Sequence, residues 1–389
     1  MQAHTICLRC HQKCHLIAEV VEGRVVAVVD AAPVNRMPAC REACPIGMDV
    51  PGYLIAASQG KFEKAMEIIR DTNPFPMVCG RICHHPCEKE CIRGVVDEAV
   101  AIMSVKRFVA DYARRSGWKP APVSRSRKET VAIIGAGPAG LTAAHDLAKA
   151  GFGVTVFEAS TEAGGMLARV IPEFKLPKTS VRADVEYLKA LGVNIKTNTP
   201  IGQDLTVESL LKAHDAVLIA IGSPVPKILR VPGSDLQGLF YALPLLEDLK
   251  KGEQVPMNGR VVVIGGGNTA MDVARAAIRL GAKEVHLACV ESLKSMPADP
   301  WEVDNAIREG VKIHPSLAPE KFRDDGRRRI AGVDFRRVAA CRIGDDGDLA
   351  WTLQEGPGTE FSLAAERERS LPSGRPLPCH LCKSTAALS

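Results

Sequence analysis

The chain has 389 residues, 46% of them hydrophobic and 24% charged, with a formal net charge of +5. That length predicts two or three domains with cores of their own. The small charge leaves no footprint for nucleic acid, no run approaches the roughly 18 apolar residues of a membrane span, and the segment Met1–Cys7 has no basic region leading into an apolar one, so no secretory leader is expected.

The cysteines crowd toward the start. Of the 13, nine stand at or before position 91: Cys7, Cys10, Cys14, Cys40, Cys44, Cys79, Cys83, Cys87 and Cys91. Clustered thiols without an export signal predict metal ligation in the cytoplasm rather than a disulfide scaffold. Residues 1–35 open with Cys7, Cys10 and Cys14 at x2 and x3 spacing, then two β-branched runs around Glu22-Gly23, which reads as a β-hairpin. Such a loop before a hairpin suits one iron–sulfur cluster or one zinc. The stretch resembles the first iron–sulfur segment of molybdopterin oxidoreductases. That resemblance implies a fourth ligand further along, where Cys40 falls; nothing downstream resembles a molybdopterin domain.

Residues 36–116 read as a helical block with cysteines at its joints. A helix is expected over Tyr53–Thr72, from apolar residues at helical spacing. The next stretch, NPFPMVCGRICHHPCEKEC, sets Cys79, Cys83, Cys87 and Cys91 at three successive x3 spacings, with proline and glycine holding a loop open so that thiolates aim at one point. His84 and His85 read most simply as solvated loop residues. An amphipathic helix over Glu98–Asp111 closes the block, and a polar, proline-containing linker covers 117–129.

Residues 130–225 open on a dinucleotide signature. An apolar strand, Thr130-Val-Ala-Ile-Ile, runs into Gly135-Ala136-Gly137-Pro138-Ala139-Gly140 and then an alanine- and leucine-rich helix. Gly135 makes the turn, Gly137 admits a pyrophosphate, Gly140 lets helix and strand approach, and the helix start offers free N–H groups to phosphate. Glu158 ends the next strand, where a carboxylate accepts from a ribose hydroxyl. Asp215–Gly222 is a further apolar strand ending in glycine, read equally well as a return strand between the nucleotide domains or as a simple buried strand. A second unit, within 226–350, begins at a strand from Arg260 into Gly265-Gly266-Gly267-Asn268-Thr269-Ala270, followed by a strand that ends near Glu291. Two such units in one chain imply two dinucleotides, or one bound and one exchanging. Cys289 and Cys341 read as ordinary core or surface residues. Residues 351–389 carry no apolar period after about Glu366, and Cys379 with Cys382 reads as a chance pair.

Taken together, CREACP, NPFPMVCGRICHHPCEKEC, VAIIGAGPAGLTAA, GGML with IPEFKLPK, and VVVIGGGNTAMDVARAAIRLGA are similar to the small subunit of glutamate synthase and to the amino-terminal half of dihydropyrimidine dehydrogenase. The resemblance runs from about 36 to about 320 with the motifs in order. It implies [4Fe-4S] clusters on the cysteines, FAD held by the Gly135 loop and by Gly164, Gly165 and Met166, and NAD(P)H on the Gly265 loop. It also implies a redox partner subunit.

The chain departs from that pattern in four places. The usual CxxC before Cys40 is missing, a place Cys7 and Cys10 are expected to fill. Lys106 stands where the resembled proteins can carry a Glu or Gln cluster ligand, which leaves Cys79 as the candidate fourth thiol beside Cys44, Cys83 and Cys87. Arg169-Val170 replaces a Tyr-Gly near the flavin ring. The segment expected to close over the flavin is not found after Glu366, so the tail from 351 reads as incomplete. The pair of arginines that greets a 2′-phosphate in NADPH-using relatives falls, counting back from Met296-Pro297, on Val290 and Glu291; NADH is therefore the expected donor, with Lys294 the nearest cation.

The expectation is an α/β chain: two Rossmann-like dinucleotide-binding domains, preceded by a helical iron–sulfur domain and a short Cys-rich hairpin. Its expected function is an iron–sulfur flavoprotein oxidoreductase subunit, with no acid–base residue to name. The alternative is a non-catalytic electron-transfer or assembly subunit that has lost its flavin.

Overall fold

The computed structural model describes residues 2–6, 15–21, 24–30, 37–121, 123–226, 228–343 and 349–365. Cys7, Cys10, Cys14, Cys379 and Cys382 lie outside the described residues, as does the Glu22-Gly23 turn. At the amino end β1 (Gln2–Ile6), β2 (His15–Val21) and β3 (Arg24–Asp30) form an antiparallel sheet in that order. Strands β2 and β3 are the two arms of the expected hairpin, paired from Leu16↔Asp30 to Val21↔Arg24.

The helical block follows as α1 (Ala39–Glu42), α2 (Val50–Ser58), α3 (Phe62–Thr72), α4 (Pro76–Ile82), α5 (Pro86–Lys89) and α6 (Ile102–Ser116). The single helix expected over 53–72 is two. Gln59 leaves helical geometry and Gly60 takes a φ of +72°, which ends α2 and redirects the chain into α3. The cysteine stretch is helical where a loop was expected: Pro76 starts α4, its fixed φ suiting a first turn, and Cys79 lies inside that helix with Cys83 at its end. The closing helix starts at Ile102 rather than Glu98, because Glu88 accepts the Met103 N–H at 2.7 Å and fixes the first turn there. Tyr53, Ile69, Ile102 and Val109 are buried in the core of this block together with Cys40 and Cys87.

Next come β4 (Thr130–Ile134), α7 (Pro138–Lys149), β5 (Gly153–Phe157), α8 (Met166–Arg169), α9 (Lys178–Ala190), β6 (Asn194–Lys196), α10 (Val207–Ala213), β7 (Ala216–Ile219) and α11 (Ala242–Lys251). The strands form one parallel sheet, in the order β6-β5-β4-β7. β7 is an edge strand with Leu218 and Ile219 exposed, so the buried reading of that apolar run fails. Phe75 and Val78 of the helical block share one core with β4, β5, α7 and α9. The block and the sheet are thus a single body, residues 1–227 with 241–253. The linker joins it too: Trp118 stacks on Tyr187 at 6.4 Å, and Arg127 N–H donates to the Gly151 carbonyl.

The second body holds residues 228–240 and the described residues from 254 onward. The boundary expected at 226 is therefore crossed more than once, as α11 returns to the first body. Here β8 (Arg260–Ile264), α12 (Asn268–Arg279), β9 (Glu284–Ala288), α13 (Pro300–Arg308) and β10 (Lys312–His314) give a parallel sheet in the order β10-β9-β8. An antiparallel sheet follows, from β11 (Leu317–Asp324), β12 (Ile330–Ile343), β13 (Leu349–Leu353) and β14 (Glu360–Ala364). The long strand β12 pairs with all three others. Residues beyond 351, expected as a tail, thus supply β14, whose Leu363 joins Phe322, Val333 and Phe335 in the core.

Candidate functional site: two glycine loops and a thiol cluster

In the first body, β4 and β5 run in register from Thr130↔Gly153 to Ile134↔Phe157. Gly135 N–H then donates to the Phe157 carbonyl at 2.8 Å and closes the turn. A Cβ on Gly140 would strike the Gly135 carbonyl oxygen, so only glycine lets α7 sit this close to the strand. Gly137 caps α7 without a side-chain acceptor, a Cβ there would meet nothing within 4 Å, and Pro138 and Ala139 are exposed. An uncapped, open helix start of this kind fits a pyrophosphate. The Gly164-Gly165 turn lies against it: Gly164 N–H donates to the Ala136 carbonyl at 2.8 Å, a Cβ on Gly165 would come within 2.8 Å of the Gly137 Cα, and Met166 begins α8.

Glu158 follows β5 directly and is buried. One carboxylate oxygen accepts Ala136 N–H at 2.8 Å, and the other accepts Ser160 N–H at 2.8 Å and Ser160 O–H at 2.7 Å. Arg169, in the expected tyrosine position, is engaged by Glu247 at 2.8 Å. The segment 167–176 is held by a residue that the sequence did not single out. Lys250 is buried, and its ammonium donates to the carbonyls of Leu167 at 3.4 Å and Leu176 at 3.1 Å, and to that of Ile171. Burial lowers the Lys250 amine to about 8.

The second body repeats the loop with a different acid. Gly265 N–H donates to the Ala288 carbonyl at 2.9 Å, so the residue in register with Glu158 is Cys289, not Glu291. Glu291 nevertheless reaches the loop from further along: a Cβ on Gly266 would lie 2.7 Å from its Oε2. Glu291 is buried, and the donor its carboxylate meets among the described residues is the weak thiol of Cys289. Gly267 caps α12 with no side-chain acceptor and open space above it, and Thr269 is exposed while Ala270 is buried. Asn268 is turned aside: its amide donates to Asp299 at 3.1 Å and accepts Asp299 N–H at 3.0 Å. Val290, one of the two expected arginine positions, is buried with Ala318 and Val338 and presents nothing to a nucleotide. Burial raises the Cys289 thiol to about 12, and Glu291 adds to it.

The six described cysteines of the helical block are all free thiols. Electrostatic coupling links Cys40 to Cys91, Cys83 to both Cys79 and Cys87, and Cys44 to Cys87. Backbone N–H groups are aimed at two of the sulfurs, from His85 to Cys83 at 3.3 Å and from Val100 to Cys91 at 3.4 Å. Cys79 differs, since its thiol donates to the buried Asn73 Oδ1 at 3.8 Å and it packs against the sheet's core. No three His, Cys, Asp or Glu side chains among the described residues converge as a mononuclear metal would need. A cluster asks instead for one thiolate per iron, spread over its corners and hydrogen-bonded at sulfur, and these residues fit that requirement. The histidines were read as solvated; His85 instead takes a φ of +39° and hydrogen-bonds the Cys83 carbonyl at 2.9 Å.

Residues 129–343 match the pyridine nucleotide-disulphide oxidoreductase family, and residues 34–118 match domain II of dihydropyrimidine dehydrogenase, a 4Fe-4S cluster domain. The chain belongs to the pyridine nucleotide-disulphide oxidoreductases. Within that family it is 40% identical over 352 residues to the NADP(+)-dependent formate dehydrogenase subunit beta of Moorella thermoacetica, covering 84% of this chain and 49% of that one. It is 39% identical over 334 residues to the NADPH-Fe(3+) oxidoreductase subunit beta of Geobacter sulfurreducens, again 84% of this chain and 49% of the relative. The glutamate synthase [NADPH] small chain of Azospirillum brasilense is 38% identical over 347 residues, 85% of this chain and 71% of the relative. The chain thus spans about half the length of the first two relatives. In fold it is similar to Mycobacterium tuberculosis FprA in complex with NADPH, with a TM-score of 0.51 at 20% identity over 62% of this chain and 69% of that one. An FAD/NAD(P)-type oxidoreductase fold with a 4Fe-4S domain is therefore shown, as the sequence led us to expect. No helix among the described residues is long and apolar enough to cross a membrane.

Proposed function

We propose that the chain is the NAD(P)H-oxidising or -reducing subunit of an iron–sulfur flavoprotein oxidoreductase that exchanges electrons with a partner subunit. The observation that carries this is the shared core of the first body. Phe75 and Val78, on the helix that bears Cys79, pack with the strands flanking the Gly135 loop, so a cluster and a flavin would be fixed relative to each other. FAD, when bound, accepts a hydride and releases electrons singly, which lets a two-electron donor feed one-electron clusters.

The chain's own residues hold the groups in place. The Gly137 and Ala139 end of α7 binds pyrophosphate, Glu158 sets the loop and faces the ribose, and Lys250 orders the segment 167–176 beside it. Cys44, Cys83 and Cys87 take one cluster, and Cys40 with Cys91 takes part in another, with Cys7 and Cys10 as further ligands. The free thiols suit a reducing cytoplasm. The test is anaerobic purification of the full chain with a visible spectrum and iron and sulfide analysis. Flavin bands with acid-labile sulfide are expected; sulfide without flavin would favour a purely electron-transferring or assembly subunit.

NADH is the proposed nicotinamide, although the relatives above carry NADP or NADPH in their names. The support is Glu291: a buried carboxylate beside Gly266 whose only donor among the described residues is the weak Cys289 thiol has capacity to accept from ribose hydroxyls and repels a 2′-phosphate. We expect kcat/KM with an artificial acceptor to favour NADH, and Glu291→Gln to move the ratio about tenfold toward NADPH, a change of about 1.4 kcal/mol. A wild type that prefers NADPH overturns this reading.

A further inference from the structure

Helices α4 and α6 meet at Gly80, where a Cβ would lie 2.8 Å from the Arg107 Cα and 3.1 Å from its N. Asp111 locks the seam, taking Arg81 at 2.7 Å and Arg107 at 3.8 Å. So tight a crossing brings Cys79 and Cys83, on either side of Gly80, against the turn of α6 that carries Lys106. Lys106 is only 3% exposed. Among the described residues no carboxylate, carbonyl or hydroxyl oxygen bonds its ammonium. The contrast with Lys250, the other buried lysine, is direct, because that ammonium has three carbonyls. An ammonium held this deep in the fold with almost no water and no oxygen partner is favoured by an anion beside it. The groups that its charge reaches are sulfurs, those of Cys79 and Cys87. With Cys79 committed to Asn73, the sulfurs left for an anionic centre on this side are Cys83, Cys87 and the coupled Cys44.

We propose that Lys106 is the fixed counter-charge of an anionic iron–sulfur cluster held by Cys44, Cys83 and Cys87, a positioning residue that raises the cluster's reduction potential without ligating iron. This rests on the iron–sulfur reading above. A positive charge packed against the centre stabilises the state with the extra electron, and net charge is among the factors that set such potentials.

The test uses the full chain, purified anaerobically as wild type, Lys106→Met, Lys106→Arg and Lys106→Gln. Iron and sulfide are measured first, and cluster signals are then followed by potentiometric titration with electron paramagnetic resonance. We expect Lys106→Met to keep its iron while one signal moves to more negative potential. At the wild-type midpoint its reduced-to-oxidised ratio should fall about tenfold, which is about 59 mV for one electron. Lys106→Arg should stay near wild type. An unchanged midpoint in Lys106→Met overturns the proposal, and so does iron lost in Met but retained in Gln, which would make residue 106 a ligand. Should both of these variants lose iron, Lys106→Arg decides. Iron retained in Lys106→Arg supports the counter-charge, and iron lost there as well overturns it. A wild type free of iron and sulfide removes the iron–sulfur reading itself, and this proposal with it.

Discussion

The Gly135 and Gly265 loops start from nearly the same local sequence and are finished differently. In the first, the acid follows the strand at once and its carboxylate is fully occupied by Ala136 and Ser160. In the second, that register position is Cys289, and the acid two residues on brings to Gly266 a carboxylate met, among the described residues, only by the weak Cys289 thiol. The first acid builds its own loop; the second has acceptor capacity left for something else. The helix–strand contact differs as well. Gly140 touches the Gly135 carbonyl, whereas the second unit carries Ala270 at this point and keeps ordinary contact, 3.5 Å from a Cβ on Gly265. A glycine signature therefore fixes the turn, while the residues around it decide how rigid the loop is and what it has to offer a ligand.

The largest expected effect tests that contact. Gly140→Ala forces a methyl into the Gly135 carbonyl and should cost about 3 kcal/mol or more, with most bound flavin lost. Ala270→Gly only weakens a helix and should cost about 1 kcal/mol. Chemical denaturation of both variants, with flavin content, compares them; equal losses would show that the two loops are not built differently. The acids come next. Glu158→Gln places an amide N–H₂ or a weaker acceptor against Ala136 and Ser160 and should cost about 1–3 kcal/mol. Glu291→Gln disturbs, among the described residues, only the weak contact with the Cys289 thiol and should change stability by less than about 0.5 kcal/mol, its effect appearing in nicotinamide choice. A stability loss in Glu291→Gln as large as that in Glu158→Gln would erase the distinction.

Both strand–glycine–helix units were legible because β-branched runs, glycine and alanine-rich helices each favour the same local answer. What escaped the sequence depended on packing or register. Counting residues put Glu291 near the second loop, but only the β8–β9 register shows Cys289 in the position of Glu158 and Val290 facing inward. The sheet from β11 to β14 was missed because β11 and β12 interrupt their apolar residues with charged ones and the sheet buries one face only, through Phe322, Val333, Phe335 and Leu363. Lys106 was legible as a departure from the ligand pattern. That it is buried without an oxygen partner follows from how closely α4 crosses α6, which no local pattern states. Lys250 gave no signal, since a lysine in the last turn of an amphipathic helix ordinarily reaches solvent.

The two bodies also hold the segment beside each loop by opposite charges, which separates a third effect. Lys250→Met would leave the carbonyls of Leu167, Ile171 and Leu176 without their donor, a loss of about 2 kcal/mol concentrated in the segment 167–176. Flavin should dialyse out of this variant several-fold faster than from wild type, whereas nicotinamide affinity, a property of the other body, should hardly move. Raising wild-type pH through about 8 is the control: the Lys250 amine gives up its proton there, the neutral amine still donates N–H groups, and a folded value below the unfolded one makes stability rise rather than fall with pH between about 8 and about 10.4, so flavin should be retained. Flavin retention that ignores Lys250→Met would show that the clamp does not matter to the cofactor.

The smallest effect belongs to the second body, where carboxylates play the clamping part. Glu302 and Glu309 both grip Arg275 at 2.8 Å, and Glu309 also takes Arg279, tying α12 to α13 and the turn after it. The Arg279 guanidinium, with Arg275 beside it, holds the Glu309 carboxyl down at about 2 against some upward push from burial. A carboxyl depressed in the folded state contributes stability that is complete above its unfolded value, about 4.3, and is lost as pH falls through the folded one. The window is therefore about pH 4.3 down to 2. Glu309 is partly solvated, so screening reduces the net contribution to about 1 kcal/mol. Glu309→Gln should lower the denaturation midpoint of the second body modestly at pH 7 and flatten its decline below pH 4.3. The first body, which has Lys250 rather than a depressed carboxylate in the matching role, should keep its wild-type acid profile in that variant. If Glu309→Gln steepened the acid transition, or shifted both bodies alike, the contrast between a cationic clamp on one loop and an anionic clamp on the other would not hold.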